Sequence, residues 1–268
     1  MKRARIGLLI VVLTVAASAS AARIRSDFGQ FAKPGMIHQI ELGEGVARQI
    51  RQREKILADT DPRVEALRRV AQRILAQFDA KKTPWEFSFD VIDSKEINAF
   101  ALPGGPTFFF AGLMNKLKTE DELAAVLGHE LTHVMGEHWA RSYRDTENRD
   151  LLLAVGVLVL RANENIANLV GVTSTLGFEL PYSRRHESEA DAGGYELMVR
   201  AGYNPQGMAD LFHLLDKTDS DGHPPEWLSD HPTDTDRARK VETKIKAETR
   251  TFPPQTPIGY EGEKSVGR

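Results

Sequence analysis

The chain has 268 residues, 41% hydrophobic and 27% charged, with no cysteine. A chain of this length buries roughly 70–75% of its unfolded surface, and its composition excludes a disordered chain, a collagen or a coiled-coil rod. Lack of cysteine excludes disulfide scaffolds, Cys-ligated zinc, iron–sulfur clusters and thiol catalysis. With 35 basic against 38 acidic residues, no charge excess points to nucleic acid or an anionic membrane as the main partner.

Met1-Lys2-Arg3-Ala4-Arg5 precedes an apolar stretch from Ile6 to Ala17 and small residues through Ala22. A basic start, about a dozen apolar residues and A-x-A cleavage options describe a secretory signal over residues 1–22. A spanning helix needs about 20 apolar residues, so cleavage is the expectation and a retained anchor the alternative. The domain proper is expected over residues 23–250, beginning with an irregular lead-in over 23–40.

Apolar residues at Leu42, Val46, Ile50 and Leu57 predict an amphipathic helix from about Glu41 to Ala58. Asp61-Pro62 suits the cap and first position of a second helix, with Val64, Leu67, Val70, Ile74 and Phe78 on its buried stripe. Trp85 to Val91 alternates like a half-buried strand. Asn98 to Leu102, Pro103-Gly104-Gly105-Pro106 and Thr107 to Phe110 read as strand, turn and strand at the edge of a small sheet. Thr119-Glu120-Asp121-Glu122 is a capping box that opens a helix expected to run to about Arg144.

Leu151 to Leu160 is the most apolar stretch after the N-terminus and too short to cross a bilayer. It reads as a buried helix or as a hydrophobic flap that touches the envelope membrane. Helices are expected from His186 to Arg200, from Asn204-Pro205 to about Lys217 with His213 partly buried, and from Asp234 to Glu248. The loop histidine His223 reads as solvent-facing, and residues 251–268 read as a flexible tail. No repeat, G-x-S-x-G or Walker A motif is present.

The segment that carries chemistry is His129-Glu130-Leu131-Thr132-His133. On a helix, residues four apart face the same way, so the two imidazoles can share one Zn²⁺, with Glu130 beside a metal-bound water. A third ligand is needed. The pattern H-E-x-x-H-x-x-G-x-x-H would supply a histidine at 139, but Trp139 stands there and His138 is one residue short. Arg185-His186-Glu187-Ser188-Glu189-Ala190-Asp191 offers a carboxylate instead. Glu187 and Asp191 share a helix face and Glu189 points away, which permits Glu187 to bind zinc while Asp191 holds a ligand histidine in its tautomer.

H-E-L-T-H with His138 five residues on, E-S-E-A-D, and the upstream N-A-F-A-L-P-G-G together resemble the HEXXH gluzincin metallopeptidases that include the CAAX prenyl proteases, HtpX and the periplasmic BepA-type proteases. The resemblance covers about residues 60 to 240. It implies a mainly helical α+β, zincin-like fold whose small sheet lines the cleft with an edge strand. It also implies one zinc on His129, His133 and Glu187, Glu130 as the catalytic residue and Asp191 behind the ligands; the signal segment makes the periplasm the expected location. Neither the spanning helices of the membrane-embedded members nor the long helical-repeat domain of the BepA-like ones is expected within residues 23–268. Ser229-Asp230-His231-Pro232 is similar to a late motif whose histidine is a reversible fourth zinc ligand; a loop histidine capping the next helix is the other reading of His231.

The expected reaction is hydrolysis of unfolded or damaged exported polypeptides. An extended substrate would add to the sheet edge at Asn98, Ala99 and Phe100. The donor for the tetrahedral oxyanion is left open among His231, Tyr182 and Arg184. A latched, proteolytically weak zinc-containing chaperone or assembly factor of the envelope is the alternative function.

Overall fold

The computed structural model describes residues 35–77, 83–145, 182–219, 227–228, 231 and 236–260. The expected signal segment, Leu151 to Leu160, His223 and the last eight residues lie outside them.

Along the chain come α1 (Met36–Arg53), α2 (Pro62–Leu75), β1 (Ser88–Ile92), β2 (Ala99–Ala101), β3 (Pro106–Phe110), α3 (Ala111–Met114), α4 (Glu120–Met135), α5 (His138–Asp145), α6 (Arg184–Arg200), α7 (Gln206–Asp219) and α8 (Arg237–Ala247). The fold is mainly helical α+β, as expected. Its sheet has the order β1-β3-β2, with β1 parallel and β2 antiparallel to β3. Strand alternation divides the apolar residues between two faces. Val91, Ala99 and Phe109 enter the main core with α2, α4, α6 and α7. Ile92, Leu102, Phe108 and Phe110 meet Val46, Ala47 and Ile50 of α1 on the other face. All of β3 is buried, so β2 forms one rim of the sheet. Gly104 and Gly105, at φ 88° and 129°, make the turn between them in backbone regions that favour glycine.

Four expectations are corrected by tertiary contacts. The first helix begins at Met36, inside the expected lead-in, because α1 covers the Phe108 face of the sheet. The helix expected from Thr119 to Arg144 breaks at Gly136-Glu137, where Glu137 adopts φ 50°, and restarts as α5. His213 is exposed and its Nε2 lies 2.8 Å from Glu242 Oε1. The expected flexible tail is packed through Tyr260. Thr256 N–H donates to Asp121 Oδ2 at 2.7 Å, Ile258 N–H to Lys118 O at 3.0 Å, and Tyr260 Oη to Met114 O at 2.8 Å. This segment clamps the start of α4.

Candidate metal centre and active site

Helix α4 is buried on nearly every side, so its polar side chains are held by their neighbours. The capping box forms as expected: Thr119 Oγ1 accepts from Glu122 N–H at 3.1 Å, and Glu122 Oε2 accepts from Thr119 N–H at 3.1 Å. Across from α4 runs α6, opened by Ser183, whose hydroxyl accepts from His186 N–H at 3.2 Å. The two helices meet at Gly128 and Gly194. A Cβ on Gly194 would fall 2.8 Å from His129 N, and one on Gly128 would fall 2.9 Å from Gly194 O. Backbone contact this close brings the start of α6 over the HEXXH turn.

There His129, His133, Glu187 and the loop residue His231 converge, all buried, with one donor atom of each lying within 4.8 Å of every other. His129 Nε2 is 3.0 Å from His133 Nε2 and 3.2 Å from His231 Nδ1. Glu187 Oε1 is 3.2 Å from His231 Nδ1 and 3.5 Å from His133 Nε2, and Glu187 Oε2 is 3.4 Å from His129 Nε2. Among the described residues Glu187 Oε2 makes no hydrogen bond. Three imidazole nitrogens and a carboxylate with an unpartnered buried oxygen suit a borderline divalent cation such as zinc.

The buried groups shift one another's proton affinity. Burial raises the Glu187 pKa, but His231 and His129 beside it win and hold the carboxyl well below the usual range. For His129, burial opposes protonation while Asp191 and Glu187 favour it more, giving about 9. Burial drives His133 well below its ordinary value, with His129 and His231 adding to the effect.

His129 and His133 are braced from behind. Asp191 Oδ1 lies 3.1 Å from His129 Nδ1. Asp191 is itself clamped by Arg237, whose Nε donates to Oδ2 at 2.8 Å and whose Nη2 donates to Oδ1. The Arg237 guanidinium lies over Phe212 and Trp227, 4.2 and 5.0 Å from their ring centroids. His133 is stacked by Tyr182 at 4.0 Å between ring centroids and meets His138, Nδ1 to Nδ1, at 2.9 Å. Glu189 points away from the cluster, as expected, and binds Arg141, Arg185 and His138.

Glu130 sits on the cleft side. Its Oε2 accepts from Ala101 N–H at 3.1 Å and its Oε1 from Trp227 Nε1 at 3.2 Å. Asn98 O and Leu102 N–H bond to β3, so the residues between them in alternation, Ala99 and Ala101, turn their backbone groups outward. Trp227 N–H donates to Ile97 O at 3.3 Å on the same rim. Asn98 is buried with its Oδ1 accepting from Ala99 N–H; Ala99 faces the main core and Phe100 packs on Phe108 and Phe110.

Sequence reasoning did not single out Arg237, Trp227 or a supporting role for His138. Arg237 reads as one charge of a solvated helix, and no local spacing marks it. A tryptophan in a turn-rich stretch was the available signal for Trp227.

Comparison with known proteins agrees with this geometry. Over 247 residues the chain is 29% identical to the β-barrel assembly-enhancing protease of Escherichia coli K12, covering 87% of this chain and 50% of that protein. It is 31% identical over 202 residues to the mitochondrial metalloendopeptidase OMA1 of Schizosaccharomyces pombe, covering 73% and 58%. With the bovine mitochondrial metalloendopeptidase OMA1 it shares 35% over 166 residues, covering 58% and 32%. The chain thus spans about half the length of the first relatives it matches. The model of peptidase family M48 matches residues 62–245, from the first turn of α2 into α8 and across the whole four-residue cluster, and the chain belongs to that family.

Proposed function

We propose that this chain is a zinc-dependent endopeptidase of unfolded or damaged exported proteins. His129, His133 and Glu187 would hold the metal, Glu130 would act as general base, and Asp191 would fix His129. The observation that carries this reading is the buried convergence of three imidazoles and Glu187, with the Glu130 carboxylate 3.4 Å from the nearest of them, His231 Nε2. Relatives named as a β-barrel assembly-enhancing protease and as metalloendopeptidases support peptide-bond hydrolysis. The basic and apolar N-terminus supports export to the periplasm, and among the described residues no helix is long and apolar enough to cross a membrane. Leu151 to Leu160 would provide any peripheral contact with the envelope.

Zinc, when bound, polarises a carbonyl and lowers the pKa of water toward about 7. Glu130 would take the proton of the attacking water and return it to the leaving amine. Its two hydrogen bonds orient it: Ala101 N–H ties it to the substrate rim, and Trp227 occupies the other oxygen. A substrate strand would pair with the outward carbonyls of Ala99 and Ala101, whose N–H groups already donate to Asn98 Oδ1 and Glu130 Oε2, and this demands an extended chain but little sequence.

A catalytic zinc keeps one position open, whereas four protein donors describe a closed site. His231 therefore acts as a removable fourth ligand, and Trp227 leaves the rim and Glu130 with it. This closed arrangement is also the one observation favouring the second reading, a latched zinc-containing assembly factor with weak proteolysis.

Glu130→Gln separates the two. The variant should retain zinc by mass spectrometry and unfold like the parent, yet lose about 10²–10⁴-fold in cleavage of an unfolded casein substrate. Parental turnover in that variant would refute Glu130 as the base.

A further inference from the structure

We infer that His138 and Glu189 form a relay that positions His133 as a metal ligand, a role that rests on the zinc site proposed above. His133 turns Nε2 toward Glu187 and His129. That nitrogen must present its lone pair to a metal, so the ring proton sits on Nδ1. Nδ1 meets His138 Nδ1 at 2.9 Å, so His133 donates and His138 accepts. His138 then carries its own proton on Nε2, where Glu189 Oε2 lies 3.2 Å away. Glu189 is anchored by Arg141 at 2.6 Å and Arg185 at 2.8 Å. The polarity of the chain is set at both ends, by the metal at one and by the carboxylate at the other.

The backbone is shaped for this contact. Without the break after α4, His138 would continue up the helix away from His133. Glu137 at φ 50° turns the chain back, a conformation that disfavours non-glycine residues. Glu137 Oε2 is held there by Gln39 Nε2 at 2.8 Å. Gly136 clears the space for the ring: a Cβ on it would lie 2.5 Å from His138 Nε2. His138 is buried and stacks on His186 at 4.6 Å with 12° between the planes. His129 and His133 are thus braced differently, one by a carboxylate directly and the other by a neutral imidazole that passes the demand to a carboxylate.

The relay predicts zinc affinity as well as rate. In competition with a chromophoric chelator, His138→Phe, which keeps a stacking ring but no acceptor, should bind zinc about 10–100-fold more weakly and should alter the visible spectrum of the Co²⁺-substituted protein. His138→Asn, which places an oxygen near the Nδ1 position, should recover most of the affinity although it too loses Glu189. Glu189→Ala, a change at a half-exposed side chain that keeps the protein folded whatever the His138 variants do, should cost about three- to tenfold. Parental zinc affinity in both Glu189→Ala and a folded His138→Phe would overturn the relay while leaving the zinc site standing. A parent that binds no zinc, or a His133→Ala variant that binds it as tightly as the parent, would overturn the site and the relay together.

Discussion

Gly194→Ala tests whether the glycine contact between α4 and α6 sets the metal geometry. The new methyl would sit 2.8 Å from His129 N, 3.0 Å from Gly128 C and 3.2 Å from His129 Cα. All three are backbone atoms of a fully buried helix, so no rotamer change relieves them. Restoring ordinary contact at about 3.4 Å or more requires α6 to withdraw by roughly 0.6 Å. Glu187 lies two turns earlier on the same helix and moves with it, whereas metal–ligand distances tolerate about 0.2 Å. The overpacking costs about 1–3 kcal/mol, offset by about 1 kcal/mol of helix propensity gained on replacing glycine. Net loss of stability is therefore about 0–2 kcal/mol, and the larger effect falls on the metal, a loss of about tenfold or more in zinc affinity. Urea unfolding and zinc competition measure the two separately. Gly193→Ala is the comparison: its methyl meets the Thr132 side chain, 2.4 Å from Cγ2 and 2.7 Å from Oγ1, rather than the backbone beside His129, so zinc affinity should fall less. Parental zinc affinity in Gly194→Ala, or a greater loss in Gly193→Ala, would refute the reasoning.

The other predictions concern the latch and alkaline stability. His231→Ala should raise basal cleavage of an unfolded substrate, and Trp227→Phe, which removes the indole hydrogen bond to Glu130 Oε1, should raise it as well; unchanged or lower rates in both would count against a latch. Tyr203, with Tyr195, is pushed up to about 12 by burial, and Glu120 adds to this at Tyr203. A raised phenol pKa contributes stability that is present below about pH 10 and lost as pH climbs from about 10 toward 12. Among the described residues no hydrogen bond reaches the Tyr203 hydroxyl, and phenylalanine keeps the ring that Arg73 covers at 4.2 Å, so Tyr203→Phe should unfold like the parent at pH 8 and decline less steeply toward pH 11. Identical declines in urea midpoint would exclude Tyr203 as a contributor.

The features legible from the order of residues are local. Spacing of four put His129 and His133 on one face, and Glu187 and Asp191 on another, because 3.6 residues complete a turn wherever a helix forms. The capping box, the Asp61-Pro62 start and the Pro103–Pro106 turn likewise depend on neighbours within a few residues. Helix α1 was legible only in part, since its first turn is stabilised by the sheet it covers. The break at Glu137 was not legible, because the ring of His138 and the side chain of Gln39 decide it. Nor were Arg237 behind Asp191, Trp227 on Glu130, or the tail on Asp121. Each of these pairs residues far apart in the chain, and a buried charge or indole N–H takes whichever partner the packed core brings within reach. Only the tertiary structure decides that.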